Sequence, residues 1–435
     1  MKKVFVLFLC LPVISFSMSL DEAIKKSIIS HPQVIIKKEE LKVQENSLDI
    51  VNSGYLPTLD ISYKVGPEVT KTIINQRKQA DLTRQDADAK LTLNIFSGFD
   101  TVYASDNQKA LILSAKDNIE DTANNIALKM TQAYIDVIKN KELYDIAKEN
   151  VAVHEKYLAQ IKMKVDAGVG RSSDYKQTLS RLENARSVMC LTEQNYQNSI
   201  ASFQRILPLN ITANKLSKPV IKKLPAKTLD ELIKIAMKKN PIIKISKDDI
   251  IAAKYALNRS KSPYYPKADI VADAYWNKNV HGVSTSSSNP VVSRYDEDSG
   301  YNALLVLSYN IFNGFSDSAN KQIKQHILLQ KNSILTDSKR YLKAYTTIAY
   351  QTYKSTQQQL AHIQKHIQAS KDTVSDYRQE NDLGRRSIID LLNIELEYNA
   401  ARNKKVTTTY DNMYAYYQIL AYTGKLLSEM NVVIK

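Results

Sequence analysis

Cysteine is almost missing from this chain: Cys10 and Cys190 are the only two among 435 residues. Long apolar runs are also missing, apart from one at the N-terminus. There Met1-Lys2-Lys3 is basic, Val4 to Ile14 is apolar, and Ser15-Phe16-Ser17 offers small residues at the −3 and −1 positions of a cleavage site. Residues 1–17 read as a secretory signal peptide, too short to span a membrane as a helix. Its removal takes two lysines and Cys10 and lowers the formal charge from +15 to +13. One remaining cysteine excludes an internal disulfide. Bulky Leu9 before Cys10 excludes a lipoprotein site. Cys190, inside a helical run, is expected to be a small packed hydrophobe.

A basic arm is lacking as well. Lys and Arg are spread among Asp and Glu along helical stretches, which describes a solvated surface and not a nucleic-acid footprint. Catalytic signatures are lacking: there is no Gly-Lys-Ser/Thr, no Gly-x-Ser-x-Gly and no cysteine–histidine arrangement, and Gly168-Val169-Gly170 has none of the rest of a phosphate loop. His362 and His366 stand at i, i+4, but Ile363 occupies the place where a zinc protease needs Glu. They read as an exposed helical pair. The expectation is no enzyme, no cofactor, no metal and no nucleic-acid partner.

Glycine and proline are absent between Gly98 and Gly168, and again between Gly314 and Gly384. Such uninterrupted stretches exceed ordinary helices and point to coiled coil, each reaching about 100 Å at 1.5 Å per residue. Ile119, Ile126, Ala133, Asn140, Ala147, His154 and Ile161 are spaced by seven, as are Ala123, Met130, Val137, Tyr144, Val151, Leu158 and Val165. The two rows lie four apart on one face, and a sustained seven-residue repeat imposes a left-handed supercoil. His154 sits in a core row and is expected to be packed or hydrogen-bonded. A returning helix follows each tip, near 172–206 and 388–422, with Leu179, Leu182, Met189, Tyr196, Ile200 and Phe203 as its first apolar stripe.

The chain repeats itself. Leu20-Asp21-Glu22 recurs as Leu229-Asp230-Glu231, His31-Pro32 as Asn240-Pro241, and Ser53-Gly54-Tyr55-Leu56-Pro57 as Ser262-Pro263-Tyr264-Tyr265-Pro266, all at an offset of 209. Leu91 to Phe99 recurs as Leu307 to Phe315 at an offset of 216, which holds through Gly168/Gly384 and Asp174/Asp390. Two tandem structural repeats explain this.

Before each long stretch lies a strand–loop–strand unit. Leu59, Ile61, Tyr63 and Val65 alternate with Asp60, Ser62 and Lys64; Ala89, Leu91, Leu93 and Ile95 alternate with Lys90, Thr92 and Asn94. In the second copy Ile270, Ala272, Ala274 and Trp276 form one apolar row, and Ala303, Leu305, Leu307, Tyr309 and Ile311 another. Period two marks half-buried strands. The polar stretch Ser284–Gly300 reads as an exposed loop. The coiled coil already uses the helical stripes, so the apolar strand faces must meet lipid. In lipid only a closed barrel avoids unpaired backbone, and barrels start at about eight strands. Four strands per chain therefore imply several chains. Tyr275, Trp276, Tyr301 and Phe312 are candidates for an aromatic girdle.

This doubled order resembles the TolC family of outer-membrane efflux and secretion channels: a helix broken at His-Pro or Asn-Pro, Tyr-x-Pro, a strand pair, Asn-Ile-Phe-x-Gly-Phe, then a hairpin whose tip reads Gly and, six residues on, Asp. The resemblance covers residues 19–430. It implies a mostly α fold with β: a tandem repeat of strand pair plus long coiled-coil hairpin. It implies that three chains form a twelve-stranded outer-membrane β-barrel continuous with a periplasmic α-helical tunnel. It implies a homotrimer in outer-membrane lipid, a periplasmic adaptor and an inner-membrane transporter, and an exit duct for efflux or type I secretion. It also implies a gate. Arg386, two after Gly384, would tie to Asp174 on the neighbouring hairpin, and Asp390 would line the closed mouth. Asn393 stands where another acid is common, and Asn381 where Tyr is often found. Gly168, Val169, Gly170, Arg171, Gly384 and Arg385 would be the hairpin tips that meet the adaptor. Asp174 and Asp390 also suit plain helix starts, where acids are favoured.

The expected organisation is a signal peptide over 1–17; a first repeat over 18–207, with strand pair 58–97 and hairpin 99–207; a linker over 208–228; a second repeat over 229–424, with strand pair 267–313 and hairpin 315–423; and a tail over 425–435. The alternative reading is a soluble periplasmic coiled-coil adaptor or scaffold.

Overall fold

A computed structural model describes residues 17–71, 79–279 and 297–432. The expected signal peptide lies outside these residues but for Ser17, as does most of the Ser284–Gly300 loop. The chain divides into two compact units, one holding residues 39–116 and 245–336 and the other the remainder.

The first unit is built on a four-stranded antiparallel sheet in the order β1 (Thr58–Thr70), β2 (Ala80–Phe96), β3 (Lys267–Lys278), β4 (Glu297–Ser308). Register confirms the alternation. Leu59, Leu91, Ala272 and Ala303 form one row across the sheet, and Ile61, Ala89, Ala274 and Tyr301 the next. On the opposite face Ser62, Asp88, Tyr275 and Gly300 align, as do Asp60, Lys90, Asp273 and Asn302. Tyr275 therefore leaves the expected girdle, while Trp276 shares the apolar face with Tyr63 and Tyr301. A Cβ at Gly300 would come within 2.8–2.9 Å of the Tyr275 ring, so glycine is needed beneath it. β4 ends at Ser308, short of Tyr309 and Ile311, whereas β2 runs on to Phe96 because β3 lies beside it. Each strand pair leads into a long helix through an elbow of two left-handed residues, Gly98-Phe99 and Gly314-Phe315. Positive φ at a phenylalanine is uncommon, and a T-shaped ring contact accompanies it in both copies, Phe96–Phe99 at 5.1 Å and Phe312–Phe315 at 5.4 Å.

The second unit is helical and holds none of the four strands; of the helices given next, residues 39–52, 100–116, 245–259 and 316–336 belong to the first. Here α1 (Leu20–Ser30) opens on a capping box of Ser19 and Glu22, and α5 (Leu229–Lys239) on Thr228 and Glu231, so the repeat extends to its caps. α2 (Pro32–Asn52) and α6 (Pro241–Arg259) begin at the paired prolines, as N1 positions allow. The long helices are α3 (Asp100–Asp166) and α7 (Ser316–Asp382), of 67 residues each; the returning helices are α4 (Ser172–Ile206) and α8 (Ile388–Tyr422), of 35 each. A short α9 (Leu426–Glu429) follows. The heptad rows of α3 are the core: Ile119, Ala123, Ile126, Met130, Ala133, Val137, Ala147, Val151 and Ile161 are buried. His154 is buried too, its Nδ1 2.9 Å from the Asn150 carbonyl. α4 packs on α3 through Leu182 and Ala185 against Val151, with Arg186 2.9 Å from Glu155. α8 packs on α3 along its length: Asn399 Nδ2 donates to Asn150 Oδ1 at 2.9 Å, and Tyr410 Oη donates to Glu142 at 2.6 Å. Met18 bridges to Leu216, and the Tyr134 hydroxyl lies 2.7 Å from the carbonyls of both Met18 and Ser217. Cys190 is exposed on α4 and not packed as expected, because it falls off the buried Leu182–Tyr196–Phe203 stripe. Among the described residues no helix is long and apolar enough to cross a membrane.

Candidate functional site

Both hairpin tips are built by one backbone device. At the first, Gly168 takes φ 76° and the amides of Val169 and Gly170 return to the Lys164 carbonyl at 3.0 and 2.8 Å. At the second, Gly384 takes φ 74° and the Arg385 amide returns to the Glu380 carbonyl at 2.8 Å. Left-handed closure of this kind satisfies carbonyls at the helix end and is open to glycine without a Cβ penalty. Val169, Arg171 and Arg385 project into solvent, and Gly168 and Gly384 are exposed with them.

The second tip is the more tightly tied. Asn381 Nδ2 donates to the Arg386 carbonyl at 2.6 Å. Ser387 caps α8, its Oγ accepting from the Asp390 amide at 3.1 Å and donating to Asp390 Oδ2 at 2.7 Å. Arg171, at the same place in the first tip, makes no side-chain cap. Arg386 Nε donates to Glu380 Oε2 at 2.8 Å, and its guanidinium lies 4.2 Å over the Tyr377 ring. The Glu380 carboxylate holds that guanidinium's pKa above its ordinary value. Asp174 occupies the first turn of α4, 3.3 Å from Ser173 Oγ. Within this chain, among the described residues, Arg386 and Asp174 form no ion pair. Asp390 and Asp174 both serve as helix-starting acids here, and Asn393 is exposed one turn further along α8.

Behind the tips lies a junction between the two hairpins. Tyr157 and Ile161 of α3 pack with Ile388, Leu391 and Leu392 of α8. Glu395, 3% exposed, pairs with Arg378 of α7, and the Tyr157 hydroxyl lies in their field. Burial raises that hydroxyl's pKa against the opposing pull of Arg378. Sequence reasoning passed over these three residues. The available signal was Glu395 on the buried stripe with Leu391, Leu392 and Asn399. His362 and His366 are exposed, and His366 Nε2 lies 3.0 Å from Glu397. Among the described residues no group of three or more His, Cys, Asp or Glu could hold a metal ion.

The described residues thus combine an antiparallel sheet with one apolar face and two helical hairpins, each closed by a left-handed glycine. No family model matches the chain. It is 18% identical over 421 residues to the outer membrane efflux protein BepC of Brucella suis biovar 1 (strain 1330), across 95% of this chain and 87% of that protein. It is 18% identical over 428 residues to the proteases secretion protein PrtF of Dickeya chrysanthemi, across 96% and 90%. Among solved structures, the Campylobacter jejuni CmeC outer membrane channel matches with a TM-score of 0.79 at 14% identity, across 94% of this chain and 86% of that one. The chain has the fold of the TolC-type outer-membrane channels over nearly its whole length.

Proposed function

We propose that this protein is the exit duct of an envelope-spanning efflux or type I secretion system in the Gram-negative outer membrane. Three copies close the barrel, and a periplasmic adaptor joins the duct to an energised inner-membrane transporter. One observation carries this reading: an open four-stranded sheet whose apolar face, with Ile61, Tyr63, Val65, Tyr301, Leu305 and Leu307, is exposed in the single chain. An open edge in hydrocarbon leaves backbone groups unpaired, so such a sheet is stable in lipid only when copies close it. The soluble adaptor alternative gives this face no partner, and the relatives are an outer membrane efflux protein and a proteases secretion protein. In this reading the tips form the periplasmic mouth, with Asp390 lining it and Arg386 and Asp174 as a latch between neighbouring hairpins. The test is extraction and mass. The protein should leave outer membranes only with detergent and should have the mass of three chains there. A stable monomer in aqueous buffer would overturn the reading.

A further inference from the structure

Residues 208–228 run between α4 and α5 with no regular structure beyond the short turn Ala213–Lys215. The segment is a fixed strap all the same. Leu216 is buried beside Met18, and the Tyr134 hydroxyl of α3 lies 2.7 Å from the Ser217 carbonyl. Further along, the Tyr417 hydroxyl of α8 reaches the Val220 carbonyl at 3.5 Å, and that of Tyr350 on α7 the Lys227 carbonyl at 3.3 Å. Leu224 and Ala226 pack against Leu232, Ala349 and Ile419. Three helices therefore hold the strap through its carbonyls and apolar side chains.

Its lysines are left to solvent. Lys215, Lys218, Lys222, Lys223 and Lys227 are all exposed, and the strap contains no acid. α5 follows at once and adds exposed Lys234, Lys238 and Lys239 against Asp230 and Glu231. Both acids lie in the first turn of α5, where Glu231 completes the capping box. Lys218 and Lys222 find distant acids, Glu142 at 3.4 Å and Glu429 at 3.8 Å. The other six lysines form no ion pair among the described residues. A helix end favours Lys238 and Lys239, yet α1 ends on Ile29 and Ser30 in the matching places, so the repeat does not require them. Elsewhere Lys and Arg mix with Asp and Glu along the helices; here one sign is gathered.

Resting on the exit-duct reading above, we propose that the strap and α5 are a docking surface for the cell wall, a glycan mesh whose peptide stems carry free carboxylates. Position and pattern both select this polyanion. The strap is tied to α3 at Tyr134, 34 residues beyond Asp100 and about 50 Å along the helix. In the duct that stretch is periplasmic, far outside the roughly 8 Å over which lipid phosphates would be felt. The unpaired ammonium groups are strung along residues 215–239, which matches a polymer of repeated carboxylates better than one small anion. Each exposed contact is weak alone. Held on a fixed strap and repeated in three copies, they act together.

The test is co-sedimentation of the detergent-purified protein with isolated cell-wall sacculi at physiological salt. The protein should pellet with them, and less so as salt rises. Lys215→Gln, Lys223→Gln, Lys227→Gln and Lys234→Gln combined should lower the bound fraction about tenfold. The same four positions changed to Arg should keep binding. Lys156→Gln, Lys162→Gln, Lys164→Gln and Lys176→Gln combined remove as much exposed charge near the first hairpin tip and should bind as wild type does. Sacculi with amidated carboxylates should pellet no protein. Equal loss in the two glutamine sets, or full binding to amidated sacculi, would overturn the proposal. Capture by phosphatidylglycerol vesicles and not by sacculi would overturn it as well. A three-chain mass in detergent without sedimentation would refute the docking surface and leave the duct standing. A stable monomer in aqueous buffer would remove the duct reading and the proposal with it.

Discussion

Arg386 is bonded to Glu380 of its own hairpin, Nε to Oε2 at 2.8 Å, across the left-handed turn at Gly384. The expected latch to Asp174 must therefore compete with a partner six residues away on the same chain. Arg386→Ser should raise single-channel conductance in planar bilayers while cation preference stays. Glu380→Gln removes the carboxylate that holds the guanidinium; if the proposed latch to Asp174 exists, the channel should shift toward closed. Equal conductance in wild type and both variants would remove Arg386 from the gate.

Asp390 tests the mouth separately. Like charges held close in a constriction favour cations. Asp390→Asn should weaken cation preference and relieve block by divalent cations, with little change in opening; Ser387 can still cap α8 through its hydroxyl. If selectivity is unchanged in bilayer recordings, Asp390 only starts a helix.

The Arg378–Glu395 pair is lopsided: the Glu395 side chain is 4% exposed and that of Arg378 53%. Removing the arginine strands a buried carboxylate, which costs more than the roughly 1–3 kcal/mol of a neutral group. Arg378→Met should therefore lower the melting temperature of the purified protein more than Glu395→Gln does. The double change to Met at both positions should recover part of the loss. A larger loss in the double variant than in Arg378→Met would refute this account.

The tyrosines of α8 set an alkaline limit. Burial pushes the Tyr417 hydroxyl well up, and Tyr422 up to about 12. An unfolded tyrosine ionises near 10. Above that pH the unfolded state binds fewer protons than the folded one, so stability is full below about pH 10 and falls as pH rises toward the folded values. Circular-dichroism melts between pH 8 and 11.5 should show this fall. Tyr417→Phe, whose hydroxyl is only 3.5 Å from the Val220 carbonyl, should flatten it.

The doubled architecture was legible because its punctuation is strong. Gly98, Gly168, Gly314 and Gly384 all carry positive φ, and the prolines at 32 and 241 start helices as read. Strand faces were legible from period two, and register then followed. The end of β4 was not, because period two carries on through Tyr309 and Ile311 while the ladder with β3 stops at Ser308. Arg386–Glu380 was not, since a separation of six across a left-handed turn matches no helical spacing rule. Tyr157, Arg378 and Glu395 lie on three different helices, and one chain's periodicity does not say which polar residues meet.

The polar face of the sheet also bears on what can leave. It carries Asp60, Glu68, Asp86, Asp88, Asp269, Asp273 and Asp298 against Lys64, Arg84, Lys90 and Lys267, on a chain whose formal charge is +15. Arg84 is already engaged with Asp86 and Glu68, at 2.8 and 3.3 Å. In the trimer proposed above this face turns inward, as a barrel requires of a polar face, and its repetition gives the throat a sign opposite to the chain's net charge. In that proposed duct, basic passengers would be drawn through the throat and acidic ones slowed, which places a charge filter in the exit itself.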